Sequence, residues 1–239
     1  MTPLLQTLER KMALLIQQFA EDPYQLFHEN EVHAVFFGLT REPVGAATPR
    51  NHQRPVHLLR HEYDTIWRYS NQEGFRTRFA DQGTTACLDF AVLKEEFITA
   101  NDLLTVINKD ENRRKALRRQ ATGQDCIDSP AIHAGVEFKM LHVRTAIEVM
   151  GDEGFVKEMH RDSRKLGLEG IAHAYVLGLS HGPWPEQRYA ATIASECRQC
   201  YQTYKLDGSI RVLVATPAQT TLLGNWTDSN LFPNPHVVK

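Results

Sequence analysis

The segment Ala134-Gly-Val-Glu-Phe-Lys-Met-Leu-His-Val143 decides the fold, because its apolar residues predict a β-strand that nevertheless contains two charges. Side chains alternate between the faces of a strand, so Glu137 and Lys139 point the same way, about 7 Å apart along it. Burying an unpaired charge costs several kcal/mol, so each of these groups needs an opposite charge or a metal ion. Broken patterning in a buried strand is where a functional site is expected.

A second predicted strand, Thr85-Ala-Cys-Leu-Asp-Phe-Ala-Val-Leu93, also contains a charge, since Asp89 has apolar neighbours on both sides. Taken alone, these features are more simply explained by a buried Glu–Lys pair together with an acid at the end of a strand. Asp125 and Asp128 are alternative candidates for the acid that would share a site with Glu137 and Lys139, although they lie in a turn-like stretch without strand character.

The remaining chain predicts helices first and strands afterwards. Apolar residues at helical spacing predict helices over 3–20 and 30–39, and turn formers predict a loop over 41–55. The predicted strands and later helices are, in chain order, strands 57–69, 85–93 and 134–143, helix 155–168, strand 172–179, helix 186–204 and strand 210–215. An irregular tail is expected after Pro217. This order predicts one α/β domain with a mixed sheet.

The composition limits the classes of function. Of 239 residues, 42% are hydrophobic and 23% are charged, as in soluble globular proteins. There are 27 Lys and Arg against 29 Asp and Glu, and the formal net charge of −2 argues against binding nucleic acid by bulk charge. Neither an export signal nor a bilayer-spanning stretch is found, and four cysteines are too few for a disulfide scaffold. A cytoplasmic protein without a membrane partner is expected.

A dense basic run lies between the two charged strands, within a segment of about residues 94–130. Arg114 and Arg118 are one helical turn apart, as are Lys115 and Arg119, so one helix face could follow a phosphate backbone. The alternative is a solvated helix face. The predicted nucleic-acid-binding residues are Arg113, Arg114, Lys115, Arg118 and Arg119.

The order of these features resembles the restriction-endonuclease-like nuclease superfamily, named for its PD-(D/E)xK motif. Phe27-His-Glu-Asn-Glu-Val32 resembles its first-helix acidic motif, Arg60-His-Glu-Tyr-Asp-Thr65 its first strand, and Arg161-Asp-Ser-Arg-Lys-Leu166 the helix that follows Glu-x-Lys. The resemblance covers roughly residues 25–180. It implies an αβββαβ core with a central mixed β-sheet flanked by helices, and a single domain over 1–239 with an inserted basic helical segment at about 94–130.

The resemblance also implies the chemistry of a Mg²⁺-dependent nuclease, with Mn²⁺ as an alternative ion. Asp89, Glu137 and the backbone carbonyl of Phe138 would bind the metal, since Mg²⁺ takes few protein oxygen ligands and keeps several waters. Lys139 would orient or deprotonate the attacking water, or stabilise the pentavalent phosphate. A dication beside Lys139 should lower the pKa of its amine. The other residues implied near the site are Asp162 and Lys165.

Two acids of the first-helix motif are alternatives for a further catalytic position. On a helical wheel, Glu29 lies on the Val32 and Phe36 side and points inward, whereas Glu31 lies at the other margin of the apolar stripe. Glu29 is preferred. The alternative is a helix start whose acids suit the helix dipole.

The sequence therefore predicts an enzyme that hydrolyses phosphodiester bonds of nucleic acid, with DNA preferred over RNA and a homodimer left open. One alternative is a catalytically inactive module of the same fold that binds nucleic acid or protein. Another is an unrelated α/β protein in which Glu137 and Lys139 form an internal ion pair.

Overall fold

Two helices open the chain in the computed structural model, which describes residues 2–26, 28–70, 74–75, 84–107, 132–141, 162, 166, 171–181 and 209–238. Helix α1 spans Pro3–Glu21 and helix α2 spans Glu29–Val44. Pro3 suits the first position of α1, where no N–H is needed for a helical hydrogen bond. The buried residues of α1 recur every three or four positions, as an amphipathic helix requires, and include Leu5, Leu8, Met12, Leu15, Ile16 and Phe19. The prediction for α1 is confirmed.

Within the described residues, ten strands and two short α-helices follow. The strands are β1 (Ala46–Ala47), β2 (Val56–His57), β3 (Leu59–Ser70), β4 (Gly74–Phe75), β5 (Thr84–Leu93), β6 (Ile132–Leu141), β7 (His173–Ser180), β8 (Ser209–Ala215), β9 (Thr220–Leu223) and β10 (Pro235–Val238). Helices α3 (Glu95–Ala100) and α4 (Leu103–Ile107) lie between β5 and β6. The five strands predicted from the sequence all occur, with boundaries shifted by up to two residues.

Eight strands of the described chain form one mixed sheet in the order β10-β9-β8-β7-β6-β5-β3-β4. Strands β3, β5 and β6 pair antiparallel, whereas β7 pairs parallel with β6 and β8 parallel with β7. Strand β9 is antiparallel to β8, and β10 is parallel to β9. The predicted α/β class with a mixed sheet is confirmed at this level.

The loop predicted over 41–55 is wrong at its beginning. Helix α2 continues through Pro43 to Val44 and ends at Gly45, whose φ of 97° lies in the left-handed region that favours glycine. Strand β1 then pairs antiparallel with β2. A proline in the last turn of a helix removes one hydrogen bond without breaking the turns before it.

The irregular tail predicted after Pro217 is also wrong, because it contains two strands of the sheet. All four residues of β9 are buried, since the strand lies between β8 and β10. Strand β10 begins at Pro235 and forms the edge of the sheet, where a proline is tolerated at the first position. The predicted helix at 186–204 lies outside the described residues, and of the predicted helix at 155–168 the structure describes Asp162 and Leu166, both helical.

Buried polar contacts attach α1 to the sheet. The Glu9 carboxylate is 3.0 Å from Nε of Arg211 on β8 and accepts the hydroxyl hydrogen of Tyr175 on β7, also at 3.0 Å. Its second oxygen accepts the backbone N–H of Thr227 at 2.7 Å. The Arg211 guanidinium lies over the Tyr175 ring and donates to the carbonyl of Asn225. One buried acid thereby joins a helix, two strands and the chain after β9.

Candidate metal centre

Helix α2 presents two functional side chains on one face near its start. Glu29 and His33 are four residues apart, so they lie one above the other on the helix. Glu31 is used differently, because its carboxylate accepts the backbone N–H of His28 at 2.8 Å and caps the helix. The structure therefore directs Glu29 toward the sheet and leaves Glu31 at the helix terminus.

Asp89 lies where the pairing of β5 with β6 stops. The backbone register runs from Leu93↔Ile132 to Phe90↔Val136, and one residue further the Asp89 carboxylate accepts the N–H of Phe138 at 2.6 Å. A hydrogen bond from an amide to a carboxylate is stronger than one between neutral groups, so it holds Asp89 in place. This contact brings the Asp89 carboxylate beside the chain between Glu137 and Lys139.

Glu29, His33 and Asp89 form a group that could hold a metal ion. Each offers one ligand atom, and these atoms lie within 4.8 Å of one another. His33 Nε2 is 3.6 Å from Asp89 Oδ2, which is typical of two ligands that each lie about 2.1 Å from a shared ion. His33 Nε2 is buried and, among the described residues, has no hydrogen-bond partner. Such a buried nitrogen beside two carboxylates fits a divalent cation.

Lys139 offsets part of the negative charge of this acidic centre in the protein alone. Its Nζ is 3.7 Å from Glu29 Oε1 and 3.3 Å from Asp162 Oδ2, distances of ion pairs rather than aligned hydrogen bonds. Burial lowers the pKa of Lys139, but the charges of four carboxylates, in descending order Asp162, Glu29, Asp89 and Glu137, raise it above the ordinary value. Lys139 is therefore protonated at neutral pH.

The pKa of Glu29 is raised from its ordinary value of 4.5, and burial is the largest cause. The negative charge of Asp89 raises the pKa further. Lys139, His33 and a backbone hydrogen bond from Met140 lower it, without cancelling the effect of burial. A carboxylate that is costly to ionise in the protein alone gains from a nearby cation.

Glu137 is buried, with 1% of its surface exposed, and its charge acts on Lys139. The antiparallel register, carried one residue beyond Phe90↔Val136, sets Glu137 opposite Asp89. Glu137 is not in the group of ligand atoms that approach within 4.8 Å. Of the metal ligands predicted from the resemblance, that group contains Asp89, and it adds Glu29 and His33.

His33 and His61 are site residues that the sequence reasoning missed. His61 Nε2 on β3 is 3.2 Å from His33 Nδ1, and both rings pack against Phe90. The available signal was the Glu29-x-x-x-His33 spacing, which places a carboxylate and an imidazole on one helix face. Of the other predicted residues, Asp162 contacts Lys139, whereas those outside the described residues are Arg113, Arg114, Lys115, Arg118, Arg119 and Lys165.

No helix in the described ranges is long and apolar enough to cross a membrane. Comparison of the chain with protein-family models, curated proteins and solved structures gives no match.

Proposed function

We propose that this protein is a metal-dependent nuclease with a restriction-endonuclease-like core, which hydrolyses phosphodiester bonds of nucleic acid and prefers DNA. The order of elements supports this: helix α2, the antiparallel strands β3, β5 and β6, helical residues at 162 and 166, and then β7 parallel to β6. That order agrees with the αβββαβ arrangement implied by the sequence resemblance.

The observation that carries the proposal is the meeting of Glu29, His33 and Asp89 beside Lys139. Their ligand atoms lie within 4.8 Å of one another, and the lysine amine is 3.7 Å from Glu29 Oε1. These groups come from one helix and two strands, so separate parts of the fold converge on one point. Carboxylates that bind a cation beside a charged amine suit a reaction in which negative charge develops on a phosphate.

Mg²⁺ is the proposed cofactor, with Mn²⁺ as an alternative ion. Carboxylate oxygens suit both ions, and Mg²⁺ is bound mainly through carboxylates, phosphates and water. An imidazole ligand such as His33 Nε2 suits transition metals better. When bound, the ion would stabilise charge on the phosphate oxygens and make water easier to ionise.

Each residue of the site has a different role in the proposed hydrolysis. The oxygen of a water forms a bond to phosphorus and the water releases a proton to solvent, while the bond from phosphorus to the leaving sugar oxygen breaks and solvent supplies a proton to that oxygen. Lys139, being charged, donates hydrogen bonds that orient the water or stabilise the pentavalent phosphate. Asp89 is held for ligation by the Phe138 N–H, and the nearby charge of Glu137 adds to the attraction for a cation.

Cleavage assays on the purified full chain test the proposal. Double-stranded DNA, single-stranded DNA and RNA are each incubated with Mg²⁺, Mn²⁺ or EDTA. We expect cleavage with a divalent ion and none in EDTA. Asp89→Asn and Lys139→Met should each lower the rate by about 100-fold or more, because the first removes a charged metal ligand and the second removes a positive charge that stabilises the transition state.

Glu95→Gln is the matched control, since it removes an exposed acid in the first turn of α3 and should keep the wild-type rate. A failure to cleave any of the substrates, combined with saturable Mn²⁺ binding, would favour the inactive module. A failure to bind either ion would favour the structural ion pair formed by Glu137 and Lys139.

A further inference from the structure

His61 lies beside the proposed metal ligand His33 but is not in the group of ligand atoms. His33 is buried on α2, whereas His61 is exposed on β3, and 28 residues separate them in the chain. Their rings meet nearly edge to face, with centroids 5.2 Å apart. The contact joins Nε2 of His61 to Nδ1 of His33 at 3.2 Å, so one nitrogen donates and the other accepts.

The direction of that hydrogen bond decides what His33 can do. A neutral imidazole has one N–H, so a lone pair on Nε2 requires the proton to be on Nδ1. His33 Nε2 faces Asp89 Oδ2 at 3.6 Å, a distance longer than a hydrogen bond. If His33 Nε2 keeps its lone pair for a metal ion, Nδ1 of His33 is the donor and Nε2 of His61 is the nitrogen that accepts from it.

We propose that His61 is a positioning residue that accepts the Nδ1–H of His33 and thereby aims the Nε2 lone pair of His33 into the metal centre. This inference rests on the proposed metal-binding function. Metal-binding histidines ordinarily give their second N–H to a neighbouring acceptor, which fixes both the tautomer and the ring orientation. Here the neighbour is a second imidazole rather than a carboxylate or a backbone carbonyl.

The packing around both rings supports a preset orientation. Phe90 lies 4.9 Å from the His61 ring and 5.3 Å from the His33 ring, measured between centroids. Phe138 contacts His33 from another side, with centroids 5.7 Å apart. A ring held on these sides keeps its direction without the ion, so less ordering is needed when the ion binds.

Two variants separate the hydrogen bond from the packing. His61→Phe keeps an aromatic ring beside Phe90 but removes the acceptor, whereas His61→Gln supplies an amide oxygen that can accept from His33 Nδ1. Mn²⁺ titration of the full chain should show the dissociation constant rising about 10-fold or more in His61→Phe and staying within about 3-fold in His61→Gln.

Nitrogen NMR of histidine-labelled, metal-free protein reads the tautomer directly. At about pH 8, above the ordinary histidine pKa, wild-type His33 should carry its proton on Nδ1. In His61→Phe the proton should move to Nε2, because Asp89 is then the better acceptor, and His61→Gln should restore the wild-type spectrum. His33→Gln assigns the resonances.

A wild-type His33 that is protonated on Nε2, or a His61→Phe variant with wild-type Mn²⁺ affinity, would overturn the role of His61. The tautomer measurement requires neither metal nor activity. A wild-type protein that binds neither Mn²⁺ nor Mg²⁺ would instead refute the proposed function and the role of His61 toward a metal. The spectrum would still show which nitrogen donates the hydrogen bond.

Discussion

At the scale of single residues, Lys139 is surrounded by more negative charge than one amine can neutralise. It lies 3.3 Å from Asp162 and 3.7 Å from Glu29, and the charges of Asp89 and Glu137 also act on it. Lys139→Met should lower the free energy of unfolding by about 2–4 kcal/mol without metal, because it leaves buried carboxylates without their cation. Urea unfolding measures this.

Added Mn²⁺ should restore part of the stability lost in Lys139→Met, since a dication takes over the neutralising charge, but it should not restore cleavage. Lys11→Met, which removes a partly exposed lysine of α1, is the control and should change stability by less than about 0.5 kcal/mol. Equal losses in Lys11→Met and Lys139→Met would show that the site does not depend on this amine.

Glu29 makes the metal-free protein less stable as the pH rises. Burial raises its pKa in the folded state above the ordinary value of 4.5, so the folded protein holds the proton more tightly than the unfolded chain. Stability therefore falls as the pH rises from 4.5 through the raised pKa. Glu29→Gln should flatten this part of the urea-midpoint profile and also weaken Mn²⁺ binding. An unchanged profile would contradict the argument.

The site residues were predictable from the sequence where a charge interrupts an apolar strand, as Asp89, Glu137 and Lys139 do. His33 gave a weaker signal, because a histidine on the buried side of an amphipathic helix is ordinary. Its role depends on His61 and Asp89, which lie 28 and 56 residues away in the sequence. Contacts of that kind follow from strand order and from the point at which β5 and β6 stop pairing, neither of which local pattern determines.

At the scale of elements, Gly135 determines how closely Leu166 and Ile171 pack on β6. A Cβ atom at this position would lie 2.6 Å from Leu166 Cδ2 and 2.9 Å from Ile171 Cδ1. Gly135→Ala should therefore lower the free energy of unfolding by about 1–3 kcal/mol through overpacking. Because Glu137 follows two residues later on the same face, metal affinity should fall as well.

Gly38→Ala is the matched control for Gly135→Ala, since Gly38 is exposed within α2 and a Cβ there meets nothing within 4 Å. Alanine favours a helix, so this variant should gain about 0.5–1 kcal/mol. Thermal unfolding of both variants makes the comparison, and a stable Gly135→Ala would show that the contact with Leu166 yields easily.

The attachment of helix α1 to the sheet depends on the buried carboxylate of Glu9. Glu9→Ala leaves the Arg211 guanidinium without its carboxylate and the Thr227 N–H without its acceptor. The expected loss in the free energy of unfolding is about 3–5 kcal/mol, measured with urea. Gln6→Ala on the exposed side of α1 should cost less than about 0.5 kcal/mol. A loss for Glu9→Ala no larger than that control would mean that apolar packing alone holds α1.

The elements that the sequence predicted are the long ones with a clear period, such as α1 and five strands of the central sheet, namely β3, β5, β6, β7 and β8. Strands β9 and β10 were missed because each has four residues and because prolines and a glycine border them, which is the pattern of irregular chain. Strand β9 also shows no alternation, since all its residues are buried. Its pairing with β8 and β10 is a property of the sheet, not of its own four residues.

At the scale of the whole molecule, the formal net charge of −2 conceals an uneven distribution. The described site gathers the carboxylates of Glu29, Asp89, Glu137 and Asp162 around the single amine of Lys139. The predicted basic run at 109–119 would supply the opposite charge in another part of the chain. Without a divalent ion, the site itself should repel a phosphate, and the predicted basic run would have to supply the attraction.

Nucleic-acid affinity should therefore depend on the metal. Fluorescence anisotropy of labelled DNA with Lys139→Met, chosen to prevent cleavage, should give an affinity about 10-fold higher in Mn²⁺ than in EDTA. A factor of 10 equals about 1.4 kcal/mol, on the order of one favourable charge contact near a protein surface. Asp89→Asn in the same background should remove this dependence on Mn²⁺, while an Arg114→Gln change should weaken binding in both conditions. Equal affinity in Mn²⁺ and in EDTA would show that nucleic acid does not bind next to the acidic centre, because an ion bound between the carboxylates cannot leave a nearby phosphate unaffected.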